Sequence, residues 1–161
     1  MGTEGQVVVI TGGEGPLGRA ATGKFLSMGS KIMIGWNNPG EWEEAKKLIP
    51  SKFKGQVADM QVDLTKEDDA EKLMEKAKME FGSIDVLLHM VGMFFAGKTI
   101  WETDTAIMEN LLNVNLKSAF LCAKHAISVM LDRGRGRVVF FPPALILQPR
   151  QRYYSGWYCT E

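Results

Sequence analysis

The apolar run Val7-Val8-Val9-Ile10 leads into Thr11-Gly12-Gly13-Glu14-Gly15-Pro16-Leu17-Gly18, and a helical pattern starts inside that turn. Strand, glycine-rich turn and helix in this order limit the fold more than any other stretch of the chain. The glycines let the backbone turn sharply and pass close to a ligand. A helix N-terminus adds unpaired N–H groups and partial positive charge. Together these are the means by which a backbone wraps a pyrophosphate, so a dinucleotide is the ligand implied. Pro16 is the irregular member. It suits the first helical position, where its missing N–H would be unpaired anyway. It also has no N–H to give a phosphate, and its ring is bulky.

Alternation continues beyond the turn. Residues 6–10 read as a strand and residues 16–28 as a helix, with Leu17, Ala20, Ala21, Lys24, Phe25 and Met28 near one face and Gly29 as its stop. A strand over 31–35, a short helix over 41–48 ended by Pro50, and a strand over 56–62 follow. Thr65-Lys66-Glu67-Asp68 resembles a capping box with Asp in place of Glu, opening a helix to about Phe81 with Leu73, Met74 and Ala77 inward. Residues 84–90 are apolar nearly throughout, as a strand buried on both faces should be. A long helix over 104–131 and a strand over 137–141 complete the pattern. The fold expected is α/β: a Rossmann-like doubly wound parallel sheet of about five strands in three α/β/α layers. Residues 1–161 read as a single Rossmann-type dinucleotide-binding domain. After Phe141, Pro142-Pro143 and Tyr153-Tyr154-Ser155-Gly156-Trp157-Tyr158 do not continue the alternation.

Charge and cysteine usage narrow the function classes. Lys plus Arg and Asp plus Glu both total 19, so no strong field draws nucleic acid or an anionic membrane to the chain. The run Arg133-Gly134-Arg135-Gly136-Arg137 reads as a solvated helix-to-strand turn. Cys122 and Cys159 make no disulfide framework, and neither has ligand spacing with His89 or His125, so no metal site is expected. No signal peptide and no apolar stretch of spanning length is visible, which makes a reducing cytoplasm the default location.

At this point the chain resembles the short-chain dehydrogenase/reductase family, over nearly its whole length. The glycine loop resembles the family's TGxxxGxG. Asp63-Leu64 sits where the family places an Asp against the adenine ring. Asp85-Val86-Leu87-Leu88-His89-Met90-Val91-Gly92 resembles its DVLVNNAG stretch, and Gly92 would let the backbone approach a cofactor ribose. Asn113-Val114-Asn115-Leu116 resembles the segment with the catalytic Asn, and Gly136-Arg137-Val138-Val139 the strand leading to the catalytic Ser. The resemblance implies hydride transfer between a nicotinamide cofactor and a small carbonyl or alcohol. It assigns Thr11, Gly12, Gly15, Leu17, Gly18, Trp36, Asn37, Asp63, Leu64 and Gly92 to the cofactor, and Asn115 and Tyr158 to catalysis.

Departures from the family pattern fall at informative places. Pro16 stands where the family has its middle glycine, with Gly15 displaced by one position. The end of the second strand, where a carboxylate would hold the ribose of NAD and an Arg the phosphate of NADP, reads Gly35-Trp36-Asn37. With no acid there, the choice between NADP and NAD tilts slightly toward NADP. Trp36 either covers the adenine or packs beside Trp42. His89 is either an acid–base group or a satisfied structural residue. No Ser matches the catalytic Ser, since Pro142-Pro143 takes its place and Ser155 lies too close to the tyrosines. Tyr158 is the best match for the catalytic Tyr, with Tyr154 the alternative; the family's Lys would follow Glu161. An unperturbed Tyr titrates near pH 10, so a base of this kind needs positive charge nearby. Relative to the family the domain is incomplete at its C-terminus, and a longer protein, homo-oligomeric in complete form, is the expectation. Two other functions stay open: a non-catalytic nucleotide-binding or interaction module, and an inactive truncated fragment.

Overall fold

Val7-Val8-Val9-Ile10 has no polar side to present to water, and it forms the centre of the sheet. In a computed structural model that describes residues 4–96 and 99–141, strand β1 (Val7–Thr11) is buried at every position. It pairs in parallel with β2 (Lys31–Trp36) on one side and β4 (Val86–His89) on the other. Strands β3 (Val57–Gln61) and β5 (Arg137–Phe140) pair in parallel outside these, giving the order β3-β2-β1-β4-β5. Parallel strands need crossovers. Helices α1 (Pro16–Ser27), α2 (Pro39–Lys47), α3 (Glu67–Phe81), α4 (Thr105–Leu112) and α5 (Ser118–Leu131) fill the connections.

Alternation along each strand divides the interior in two. Val8, Ile10, Ile32 and Ile34 pack with Leu26 of α1 and with Trp42 and Ala45 of α2. Val9, Met33 and Leu87 face the other way, against Leu73, Met74 and Ala77 of α3 and Leu121, Cys122 and Ala126 of α5. This is the three-layer, doubly wound arrangement expected, and Leu73, Met74 and Ala77 lie inward as read from their spacing. Burial also pushes the Cys122 thiol up to about 12, which keeps it an inert core group.

Four local expectations are corrected. Helix α1 turns Gly18, Thr22 and Leu26 to the core, while Leu17, Ala20, Lys24 and Met28 are exposed. Close approach decides this rotation: a Cβ on Gly18 would lie 2.4 Å from Gly12 O and 2.6 Å from Gly13 Cα, so the smallest residue must face the loop. Helix α3 starts at Glu67 without a side-chain cap. The Thr65 hydroxyl instead donates to Asp63 Oδ1 at 2.7 Å, and Asp69 reaches back to the Asp63 N–H at 2.9 Å. The long helix read over 104–131 is interrupted by a π-helical turn, Asn113–Lys117, between α4 and α5. The basic run is not merely solvated. Arg133 bonds Ser83 Oγ at 2.8 Å and lies 3.4 Å from Asp85, which is buried and accepts the Val7 N–H at 2.9 Å. A buried carboxylate needs such counter-charge.

Candidate functional site

The winding of the sheet reverses at β1, whose neighbours are β2 and β4. In open α/β sheets the crevice outside the carboxyl ends of the strands at such a switch point is where ligands bind. The glycine loop lies there. Gly12 has φ +71°, in the left-handed region, and its N–H donates to Gly35 O at 2.9 Å. Gly13 passes so close to β2 that a Cβ on it would fall 2.3 Å from Ile34 Cγ2. Gly15 is the N-cap of α1 and its N–H donates to Gly12 O at 3.2 Å. Pro16 occupies the first helical position, as its chemistry suggests. Of the first-turn donors, those of Leu17 and Gly18 have no acceptor within the helix. Pro16 therefore subtracts one N–H and leaves two.

A groove of ≈ 300 Å³ runs beside the loop, lined by Gly12, Glu14, Gly35, Trp36, Asn37, Val62, Asp63, Leu64, Thr65 and Val91 and closed by Asn110, Val114 and Ser118. Of the residues assigned to a cofactor, Gly12, Trp36, Asn37, Asp63 and Leu64 line it. Leu64 does so from the edge of the core, where it is buried. Gly92 is exposed just past β4, and Leu17 is exposed on the first turn of α1. Trp36 stacks on Trp42 with ring centroids 5.9 Å apart and donates Nε1–H to Asp59 at 2.8 Å. The indole is thus held by packing and still forms part of the groove wall. Asp63 stays ionised: the Thr65 hydroxyl bonded to it holds its carboxyl below the usual carboxylate range, and Lys66 lies 3.3 Å away.

Glu14 is the residue the sequence reading missed. Its Oε1 accepts the N–H of Asn37 at 2.8 Å and that of Asn38 at 3.3 Å. Its Oε2 is buried and has no hydrogen-bond partner. The end of β2 therefore does carry an acid, delivered from the glycine loop 23 residues earlier. Linear spacing holds no signal for this, because the expected acid follows the strand and this one precedes it.

Across the groove, on the β4 side, the polar groups are spent on one another. His89 is 2% exposed, with Nδ1 2.9 Å from Thr11 Oγ1 and Nε2 3.1 Å from Ser118 Oγ. Donor inventory settles the direction. Ser118 donates to Val114 O, so its oxygen accepts from His89 Nε2–H. Nδ1 must then accept from Thr11, whose oxygen also takes the Met90 N–H at 3.3 Å. A neutral imidazole satisfies the whole chain, and burial lowers its pKa to about 4. His89 is accordingly structural, and Thr11, assigned to a cofactor by resemblance, has its hydroxyl turned into this chain. Asn115 sits in the π-helical turn. Its Oδ1 accepts from Met93 N at 2.7 Å and its Nδ2 donates to Met93 O at 2.9 Å, so both ends of the amide clamp the loop after β4. Tyr158, with Tyr154 and Ser155, lies outside the described residues.

The residues present fit the adenosine half of a dinucleotide: a glycine cradle without room for Cβ atoms, free first-turn N–H groups, an aromatic wall and an orphaned carboxylate oxygen. Fold and groove define a Rossmann-type α/β protein. The chain belongs to the short-chain dehydrogenase family, whose model matches residues 6–150. It is 32% identical to an uncharacterised oxidoreductase of Thermotoga maritima over 157 residues, covering 96% of this chain and 61% of that protein. It is 29% identical to tropinone reductase-like 1 of Erythroxylum coca over 140 residues, covering 85% of this chain and 50% of that one. A solved short-chain dehydrogenase/reductase of Brucella melitensis, described as a glucose/ribitol dehydrogenase, superposes with a TM-score of 0.72 at 27% identity, covering 78% of this chain and 52% of that one. The NADP-bound structure of ElxO shares the fold with a TM-score of 0.77 at 24% identity, over 84% of this chain and 54% of that one. The chain spans about half the length of the curated relatives it matches.

Proposed function

We propose that the protein is an NAD(P)-dependent oxidoreductase of the short-chain type, acting on a small carbonyl or alcohol, with residues 1–161 forming a single dinucleotide-binding domain. The observation that carries this reading is the groove at the switch point of the sheet, with the glycine loop and the free N–H groups of Leu17 and Gly18 beside it. A nicotinamide dinucleotide bound there, NAD or NADP, would supply or accept the hydride. Gly12, Gly15, Leu17 and Gly18 would take its pyrophosphate, with Trp36, Asn37, Asp63 and Leu64 about the adenosine and Gly92 beside a ribose. Asn115 acts by holding the loop after β4, and Tyr158 is assigned the proton transfer. The related oxidoreductases support the hydride-transfer reading. No helix of the described residues is long and apolar enough to cross a membrane. The same proposal places the protein in the cytoplasm. A homo-oligomer is supported by the exposed apolar side chains of α4, the π-helical turn and α5: Leu112, Leu116, Phe120, Ile127 and Leu131. The test titrates the full chain with NADH and NADPH, following tryptophan emission, and then assays turnover at the reduced-nicotinamide band with a panel of carbonyls. Binding with turnover is expected. Binding without turnover on any member of the panel would favour a non-catalytic module, and no binding of either dinucleotide would remove the cofactor reading.

A further inference from the structure

We infer that Glu14 is the specificity-determining residue of the adenosine subsite, reading the ribose 2′-hydroxyl and turning the 2′-phosphate away, so that this chain prefers NAD(H) to NADP(H). The inference rests on the dinucleotide reading above and names which form the site takes.

The starting observation is a carboxylate in an unusual condition. Glu14 leaves the glycine loop and comes to the end of β2, where Oε1 accepts two main-chain N–H groups, those of Asn37 and Asn38. The second oxygen is buried and unpartnered. A buried acceptor left without a donor is costly, and native structures seldom keep many of them. The same side chain lines the groove with Trp36 and Asn37. A ribose in this groove carries the donors that Glu14 lacks. Binding would need the Glu14 side chain to turn so that Oε2 reaches the groove its residue lines, where a ribose hydroxyl would donate to it.

The groove is also poorly furnished for a phosphate at this end. Arg19, the cation next to the loop, donates Nε to the main-chain oxygen of Glu14 at 2.6 Å and Nη2 to Glu41 O at 3.2 Å. Lys66 is paired with Asp63. A 2′-phosphate would bring more negative charge to a wall that already holds Glu14 and Asp63. Like charges in such proximity disfavour binding. The slight tilt toward NADP drawn from the absence of an acid after β2 is therefore reversed by an acid that arrives from before it.

Calorimetric titration of the full chain with NADH and with NADPH tests this, in the wild type and in the variants Glu14→Gln and Glu14→Asp. Wild type is expected to bind NADH at least roughly tenfold more tightly, a ratio set by one hydroxyl-to-phosphate exchange beside a carboxylate. Glu14→Gln keeps an oxygen for the two amides and removes the charge, so NADPH affinity should rise and the ratio fall toward one. Glu14→Asp keeps the charge and should retain part of the discrimination. A role confined to holding Asn37 and Asn38 would move both affinities in parallel and overturn the inference. Equal or tighter binding of NADPH by the wild type would overturn it too, while leaving the dinucleotide reading intact. Failure of the wild type to bind either compound would overturn both. Circular dichroism of each variant checks that the fold persists.

Discussion

On the β4 side of the groove, Thr11, His89, Ser118 and Asn115 spend their polar atoms on one another or on main chain; on the β2 side, Glu14 holds two amides with one oxygen and leaves the other bare. Both sides are polar, and both lie at the carboxyl ends of the parallel strands that flank β1. The difference separates groups that build the site from groups left over for something else to meet. A satisfied buried network rigidifies its surroundings, because each member loses its partner if a neighbour moves. An orphaned acceptor adds nothing to stability and stays open to a donor from outside the chain. Satisfied groups should therefore report in stability, and the orphan should report in binding alone.

The sharpest way to break the comparison is His89→Leu. It removes both ring nitrogens and strands the Thr11 and Ser118 hydroxyls in the interior, so urea unfolding should show a loss of about 3 kcal/mol or more. A loss under about 1 kcal/mol would mean that the chain of hydrogen bonds does not hold the site. The same residue predicts a pH dependence. Its pKa is lowered on folding from 6.5 to about 4, so below 6.5 the unfolded chain binds the extra proton first. Its stabilising contribution is complete above that value and is lost as pH falls toward 4. Linkage gives a loss of about 2 kcal/mol by about pH 5, absent in His89→Leu, when the two proteins are unfolded side by side. If both lose stability equally over that range, other groups carry the acid sensitivity.

Asn115→Ala comes next. It frees the main chain at Met93 from both of its amide bonds, and a loss of about 1–2 kcal/mol is expected, with faster amide exchange in the loop after β4. Unchanged exchange there would place Asn115 outside the scaffold. Smallest of all is Glu14→Gln. It should change unfolding free energy by no more than about 0.5 kcal/mol, since the two amides keep their acceptor. A large loss of stability in this variant would put Glu14 with the scaffold and erase the distinction between the two sides.

Much of the architecture was legible in advance. The strand of consecutive apolar residues at 7–10 could only be central, and the order of strands and helices forced a parallel sheet with helices on both faces. What misled was local and has a physical origin. The apolar count along α1 suggested one face, but Gly18 had to meet the loop, and backbone contact outranked side-chain hydrophobicity. Thr65 looked like a cap until Asp63, two residues earlier, took its hydroxyl. The π-helical turn at Asn113–Lys117 carries no propensity signal; it coincides with the place where Asn115 bonds the loop after β4. In the site, the Thr11 hydroxyl is committed to His89, 78 residues on, a pairing that order along the chain does not show.

From the chain alone came the class of fold, the glycine loop and the position of Pro16, because these depend on periodicity and on backbone freedom that each residue carries wherever it goes. Which side chains would be consumed in building the site and which would be left unpaired was decided by tertiary structure. Hydrogen bonds between residues 23 and 78 positions apart settled both, the Glu14 amide contacts in one case and the Thr11–His89 pair in the other. Satisfaction of a polar group is a property of its neighbours in space, and no reading of order along the chain contains them.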